Sequence, residues 1–133
     1  MTINRIYEFS SAHRLHSKDL TDDENITIYD KCNNYNGHGH DYILEVGVSG
    51  AIDKESGMII ELTTLDNSVN KILERLDYAH LDNELPYFQK TISTGENIIE
   101  YLWNELDTIL PSDLLCHLKL WETNNNYFEL KRN

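Results

Sequence analysis

One stretch decides the fold, and it covers residues 32–48 with the sequence CNNYNGHGHDYILEVGV. Its second half alternates with a period of two, which predicts a β-strand from about residue 40 to residue 50. His38 and His40 lie two residues apart at the start of that strand, so both imidazoles should point to the same face. This pattern is typical of a metal site that takes a further ligand from elsewhere, although a polar loop with two incidental histidines is the competing interpretation.

Three further strands are predicted around this one. Residues 3–12 are rich in β-formers and predict a first strand that ends at His13. Residues 114–121 alternate between two faces, and a turn at Asn124–Asn126 leads into residues 127–130. The C-terminal part of the chain therefore predicts a β-hairpin.

Two amphipathic helices are predicted between the strand pairs. Apolar residues recur at three- and four-residue spacings over residues 62–76 and 98–110, and Ser93–Glu96 has the form of a capping box before the second helix. Residues 17–30 form a polar, acidic loop with room for one helical turn.

The order ββααββ predicts an α+β fold in a single domain over residues 1–133. We expect a four-stranded antiparallel sheet with two helices on one face. The other face needs cover, which a subunit interface could supply.

Composition excludes several classes of function. A formal net charge of −12 would repel a nucleic acid, so we expect no such partner. No apolar run approaches the length of a membrane span and no signal segment is visible, so we expect no membrane association. The two cysteines, Cys32 and Cys116, lie in segments of different character and fit a reducing cytoplasm better than a disulfide framework.

Three histidines converge if the first two strands pair as antiparallel neighbours. His13 would then meet His38 and His40, and three imidazoles with an open fourth position are typical of a catalytic zinc site. Copper or nickel would bind such a set too. His16 is a competing third ligand, because it lies three residues after His13.

Cys32 and Glu122 are the other candidates for chemistry. Cys32 could close the metal site as a fourth ligand, or stay free as a base or nucleophile beside the metal. Cys116 alternates within an apolar strand and is interpreted as a core residue. Glu122 falls on the same face of its strand as the apolar Leu118 and Leu120. A carboxylate on that face would either bind a ligand with several hydrogen-bond donors or be solvated because the strand has already left the sheet. The basic residues Arg14, Lys18 and Lys31 leave room for a small anionic substrate.

Several motifs together closely resemble the 6-pyruvoyltetrahydropterin synthase family, in order and spacing over nearly the whole chain. They are FSSAHRL at 9–15, KCNNYNGHGH at 31–40, Gly57-Met58, Leu76-Asp77, STGEN at 93–97 and Glu122-Thr123. The resemblance implies the tunnelling fold, with trimers that stack into a homohexamer around a barrel. It also implies zinc on His13, His38 and His40.

The resemblance further implies a reaction and the roles of other residues. The substrate would be 7,8-dihydroneopterin triphosphate, which loses triphosphate as its side chain rearranges to give 6-pyruvoyltetrahydropterin. Cys32 would be the proton-transferring base, and Glu122 would anchor the pterin with Thr94 and Glu96 nearby. Arg14, Lys18 and Lys31 would then be partners for the triphosphate.

Two alternatives to this reaction remain open at the level of sequence. The 6-carboxytetrahydropterin synthases of the queuosine pathway share the fold and the zinc site, but tend to have a shorter gap than the five residues between Cys32 and His38. The other alternative is a non-catalytic, zinc-stabilised pterin-binding relative in which Cys32 closes the metal site.

One departure from the family pattern concerns the proton relay. Relatives carry Leu-Asp-His after the first helix, whereas this chain has Leu76-Asp77-Tyr78 and a histidine only at His80. A phenol is a poor proton acceptor at neutral pH. We therefore hypothesise that His80, oriented by Asp77, takes the relay role. The competing interpretation is that the pair is broken and catalysis is altered.

Overall fold

The computed structural model describes residues 1–133 and is built around two long antiparallel strands. β1 (Thr2–His13) pairs with β2 (His38–Ser49) without interruption, from Thr2 opposite Ser49 to His13 opposite His38. The period-two pattern of residues 40–48 is thus confirmed as a strand. Because the register has no bulge, the alternation of each strand is preserved to its end, where the histidines lie.

The remaining elements follow in chain order. They are α1 (Asp22–Tyr29), a 3₁₀ turn (Asp30–Asn33), α2 (Leu62–Leu76), β3 (Ala79–His80), α3 (Leu81–Glu84), α4 (Pro86–Lys90), α5 (Gly95–Ile109), β4 (Leu115–Thr123) and β5 (Asn126–Lys131). None of the helices is both long and apolar enough to cross a membrane.

The sheet has five strands rather than the predicted four, in the order β3-β1-β2-β4-β5, and it is mixed rather than wholly antiparallel. The extra strand β3 pairs in parallel with β1, through Ser11 with Ala79 and Ala12 with His80. A two-residue bridge has no alternation that a sequence pattern could reveal. The prediction of an α+β fold is confirmed, but its count and orientation of strands are wrong. The chain also has five helices rather than the predicted two, because the short helices α1, α3 and α4 lie in segments predicted as loops.

Helices α2 and α5 cover one face of the sheet, as their spacing predicted. The apolar stripe of α2, which includes Leu65, Val69 and Ile72, is buried against the even-numbered side chains of β2. Helix α5 is capped by Thr94, whose hydroxyl accepts from the Asn97 amide at 3.3 Å. The predicted cap at Ser93 is therefore wrong by one residue, and the Ser93 side chain is available for another contact.

The opposite face of the sheet stays open in the single chain. Ile6 is 66% exposed and Tyr127 is 46% exposed on it. Lys119 Nζ lies 4.8 Å from the ring centre of Trp121 and 4.2 Å from that of Tyr127. His117 is paired with the Glu129 carboxylate at 2.7 Å. This face therefore combines apolar and charged groups and lacks a covering layer.

Candidate active site

Three histidines meet where β1 ends and β2 begins. His13 lies directly opposite His38, and His40 follows two residues later on the same face. Their ring centres are 4.7 to 5.2 Å apart, and one nitrogen from each ring lies within 4.8 Å of the other two. The convergence predicted from the strand pattern is confirmed, and this group could hold a metal ion.

The surroundings of His13 fit a metal ligand. Its ring is buried, and Nδ1 lies 2.7 Å from the Ser93 carbonyl oxygen. A carbonyl only accepts hydrogen bonds, so Nδ1 carries the proton and Nε2 keeps its lone pair. Nε2 is buried and has no hydrogen-bond partner, a costly arrangement unless something binds it. Burial lowers the pKa of His13 to about 4, so the ring is neutral at pH 7.

The other histidines divide between this group and its surroundings. Burial, and then the neighbouring His40, lower the pKa of His38, which also favours a neutral ligand. His16 lies outside the group, and its Nδ1 accepts a hydrogen bond from the Asn33 side-chain amide at 3.0 Å. The structure therefore selects His13 over His16 as the third member.

Cys32 lies on the 3₁₀ turn before β2, with a free and half-buried thiol. Its carbonyl accepts from the Leu15 amide at 2.8 Å, which ties this turn to the end of β1. Cys32 is not part of the histidine group. Burial raises the pKa of the thiol, and the nearby carboxylates of Glu122 and Asp30 raise it further. These neighbouring groups thus oppose a thiolate, whereas a cation close by would favour one.

Glu122 reaches the same region from β4. It is half-buried, and burial raises its pKa, with a further rise from Glu96 and an opposing effect from His40. Glu122 follows Trp121, which pairs with Ile43, so it lies on the strand next to the one that carries His38 and His40. Thr94, predicted beside it, uses its hydroxyl to cap α5.

Tyr42 is a site residue that the sequence analysis did not single out. It follows His38 and His40 at the same parity on β2 and is fully buried, but its hydroxyl has no hydrogen-bond partner. Burial, and then the charge of Glu122, raise its pKa far above the usual range. The shared parity with the histidines was the signal in the sequence. Tyr42 therefore offers a neutral hydroxyl donor at the floor of the site.

The segment after α2 differs from the hypothesis of an Asp77–His80 pair. The Asp77 carboxylate accepts from the Ser10 amide at 2.9 Å, and the Ser10 carbonyl accepts from the Tyr78 amide at 2.6 Å. The carboxylate beside the His80 ring is that of Asp82, 3.9 Å from Nδ1. Tyr78 is 88% exposed with a left-handed backbone, at φ 58°. Asp77 therefore fastens the segment to β1, and Asp82 places a carboxylate near the His80 ring without a hydrogen bond to it.

His80 and Asp82 also line a cavity of about 830 Å³, which the three histidines of the group do not line. Arg14, Lys18 and Lys90 are among the residues that line it, whereas Lys31 does not. Arg14 donates from Nε to the Asn33 carbonyl at 3.0 Å. Two of the three basic residues proposed for an anionic substrate therefore share one cavity.

Three imidazoles lie close together where β1 ends and β2 begins, and a free thiol lies on the turn before β2. These groups are the kind that metal-assisted acid–base enzymes use. The profile of the family described as 6-pyruvoyl tetrahydropterin synthase matches residues 2–133, and the chain belongs to this family. It is an enzyme of pterin biosynthesis.

Individual relatives agree with this assignment. The chain is 43% identical to the 6-pyruvoyl tetrahydrobiopterin synthase of Homo sapiens over 125 residues, which cover 93% of this chain and 86% of the relative. It is 30% identical to a putative 6-carboxy-5,6,7,8-tetrahydropterin synthase of Archaeoglobus fulgidus, over 80% of this chain and 76% of the relative. The solved structure of the Caenorhabditis elegans 6-pyruvoyl tetrahydropterin synthase superposes with a TM-score of 0.95 at 37% identity, covering 100% of this chain and 96% of that one.

Proposed function

We propose that this enzyme converts 7,8-dihydroneopterin triphosphate to 6-pyruvoyltetrahydropterin with release of triphosphate, and that it uses Zn²⁺. The observation that carries the proposal is the buried, unpartnered Nε2 of His13 within the three-histidine group, in a chain 43% identical to the human 6-pyruvoyl enzyme. His13, His38 and His40 would hold the metal. Zinc is favoured over harder cations because all three donors are imidazole nitrogens.

The chemistry divides among the residues around the histidines. Bound zinc would supply Lewis acidity that polarises a substrate hydroxyl and acidifies the adjacent C–H bond. Cys32 takes that proton on Sγ, and triphosphate leaves with the electron pair of its C–O bond. Glu122 accepts hydrogen bonds from the several N–H groups of the pterin ring and so holds the ring, with Thr94 and Glu96 nearby. Arg14 and Lys18 bind the triphosphate within the cavity. Lys31 adds positive charge for the triphosphate from outside the cavity.

The decisive experiment is incubation of the purified chain with 7,8-dihydroneopterin triphosphate, followed by identification of the pterin product. A pyruvoyl product with one triphosphate released per turnover supports the proposal. A carboxy product would instead assign the second candidate function, 6-carboxytetrahydropterin synthesis, which the similarity to the Archaeoglobus relative favours. Pterin binding without turnover would assign a non-catalytic relative, for which Cys32 would have to close the metal site.

Replacing Glu122 by glutamine is expected to weaken binding of a pterin by about 2 kcal/mol, roughly 30-fold. The change keeps the shape of the side chain but removes the charge that the ring's N–H donors would meet in a half-buried position. Isothermal titration with a non-reactive pterin measures the effect. The exposed Glu100→Gln on α5 is the matched control and should change nothing. Equal affinity for Glu122→Gln and the parent chain would remove the anchor role.

Replacing His80 by alanine is expected to lower kcat at least about a hundredfold, if His80 moves protons for Cys32. We retain His80 and Asp77 as relay residues in this proposal. The Asp82 carboxylate lies 3.9 Å from the His80 ring, and Asp77 holds the segment against β1. Steady-state rates of His80→Ala and Tyr78→Phe, measured side by side, test it. A harmless His80→Ala together with a harmful Tyr78→Phe would transfer the role to the exposed phenol.

The open face of the sheet supports a proposal about assembly. We propose a homohexamer, a dimer of trimers, in which neighbouring chains cover the exposed Ile6 and Tyr127. Light scattering at several concentrations should give six chains per particle, and a stable monomer would contradict this.

A cytoplasmic location is proposed because both cysteines are free.

A further inference from the structure

Asp82 lies where three separate segments of the chain meet, beside the histidine group. One carboxylate oxygen accepts a hydrogen bond from the backbone amide of Arg14 at 2.5 Å, and Arg14 directly follows His13. The other accepts from the Ser93 hydroxyl at 2.6 Å. The first oxygen also lies 3.9 Å from His80 Nδ1, a buried atom without a hydrogen bond. A single carboxylate thus connects the end of β1, the approach to α5 and the start of α3.

Two of these contacts control the position of the His13 ring. Ser93 is fully buried, and its carbonyl accepts the Nδ1 proton of His13 at 2.7 Å while its hydroxyl is held by Asp82. The Arg14 amide, held by the same carboxylate, fixes the backbone on the C-terminal side of His13. The ring is therefore fixed through its backbone and through its hydrogen-bond acceptor, and both supports depend on Asp82.

We propose that Asp82 is a positioning residue for metal binding, which acts through Ser93 and Arg14 to keep Nε2 of His13 directed into the three-histidine group. The proposal rests on the metal site of the proposed function and adds a residue outside the ligand set. Hydrogen-bonded groups behind a metal-binding histidine typically contribute 10- to 100-fold to metal affinity. Loss of the Asp82 charge should therefore weaken zinc binding although no ligand is changed.

The test is the zinc dissociation constant of the full chain, measured by competition with a chromophoric chelator. Asp82→Asn is expected to raise it 10- to 100-fold, and Ser93→Ala, which keeps the carbonyl but loses the hydroxyl, about tenfold. Asp19→Asn is the matched control, because Asp19 lines the same cavity without contacting this network, and it should bind zinc as tightly as the parent chain.

A double variant separates positioning from a general loss of stability. If Asp82 acts through Ser93, the Asp82→Asn/Ser93→Ala chain should bind zinc no more weakly than Asp82→Asn alone. The reason is that both changes break the same contact, the hydrogen bond from the Ser93 hydroxyl to Asp82. The visible spectrum of the Co²⁺-loaded proteins is a second readout. It should change in the same way in both single variants and remain unchanged in Asp19→Asn.

Each outcome has a definite meaning for the two proposals. A parent chain that binds no zinc overturns the proposed metal site and this inference together. A parent chain that binds zinc tightly, with Asp82→Asn binding equally well, overturns only the inference. Fully additive effects in the double variant also overturn it, since they would mean independent structural roles. Where Asp82→Asn fails to fold, Ser93→Ala decides alone, and unchanged affinity refutes the proposal.

Discussion

Replacing His38 by alanine is expected to leave the purified chain with almost no zinc and almost no activity, whereas the parent chain should carry about one zinc per molecule. His38 lies directly opposite His13, and removing it leaves two imidazoles, too few to hold the metal against competition from buffer. His40→Ala should behave in the same way. Metal content by mass spectrometry and turnover of the pterin triphosphate measure the two effects.

Cys32→Ala is the natural control for the histidine variants. Because Cys32 is not part of the histidine group, this variant should keep its zinc while kcat falls by about 10²- to 10⁴-fold, the usual contribution of a positioned base. The two kinds of variant therefore separate metal binding from proton transfer. Loss of zinc in Cys32→Ala would make the cysteine a ligand and refute its assignment as the base.

Replacing Gly37 by alanine is expected to destabilise the protein by about 3 kcal/mol and to disturb the histidine group. Gly37 has a left-handed backbone, at φ 77°, which adds about 1–2 kcal/mol of strain for a residue with a Cβ. An added Cβ would also lie 2.7 Å from the His13 carbonyl oxygen and 2.9 Å from His80 Nε2. Relief of that overlap requires a shift of the His13 backbone, the His80 ring or the turn at residue 37 itself. Urea unfolding measures the loss.

Gly57→Ala isolates the contribution of this contact. Gly57 has a similar backbone, at φ 73°, but no atom lies within 4 Å of an added Cβ. The control should therefore lose only the backbone strain, about 1–2 kcal/mol. Equal losses in the two variants would mean that residues near Gly37 give way freely, which would contradict a rigidly held His13 and His80.

The position of the histidines could be predicted because it depends on local geometry alone. Alternation with a period of two places His38 and His40 on one face, and antiparallel pairing of consecutive strands brings His13 to them. The helices α2 and α5 were predictable for a similar reason, since their apolar stripes repeat within each helix. Features that repeat along the chain leave a signal in the sequence.

The contacts behind His13 could not be predicted in this way. Ser93 had the pattern of a helix cap, but Thr94 caps α5 and the Ser93 hydroxyl donates to Asp82 instead. That choice depends on the position of α3, which is set by the parallel bridge between β3 and β1. Single hydrogen bonds between distant segments have no periodicity. The same is true of the surroundings of His80, where the nearby carboxylate is that of Asp82, 3.9 Å away, whereas Asp77 accepts from the Ser10 amide.

The pairing of β1 with β2 also has a consequence for the order in which the protein folds. It is the only strand pairing that residues 2–49 complete by themselves, because the partners on either side come from residues 79–80 and 115–123. Loops that close over longer separations form more slowly, so we expect the outer strands to join the sheet late. All three histidines therefore lie on the two strands that leave the ribosome first, and we expect this pair to form before the outer strands join it.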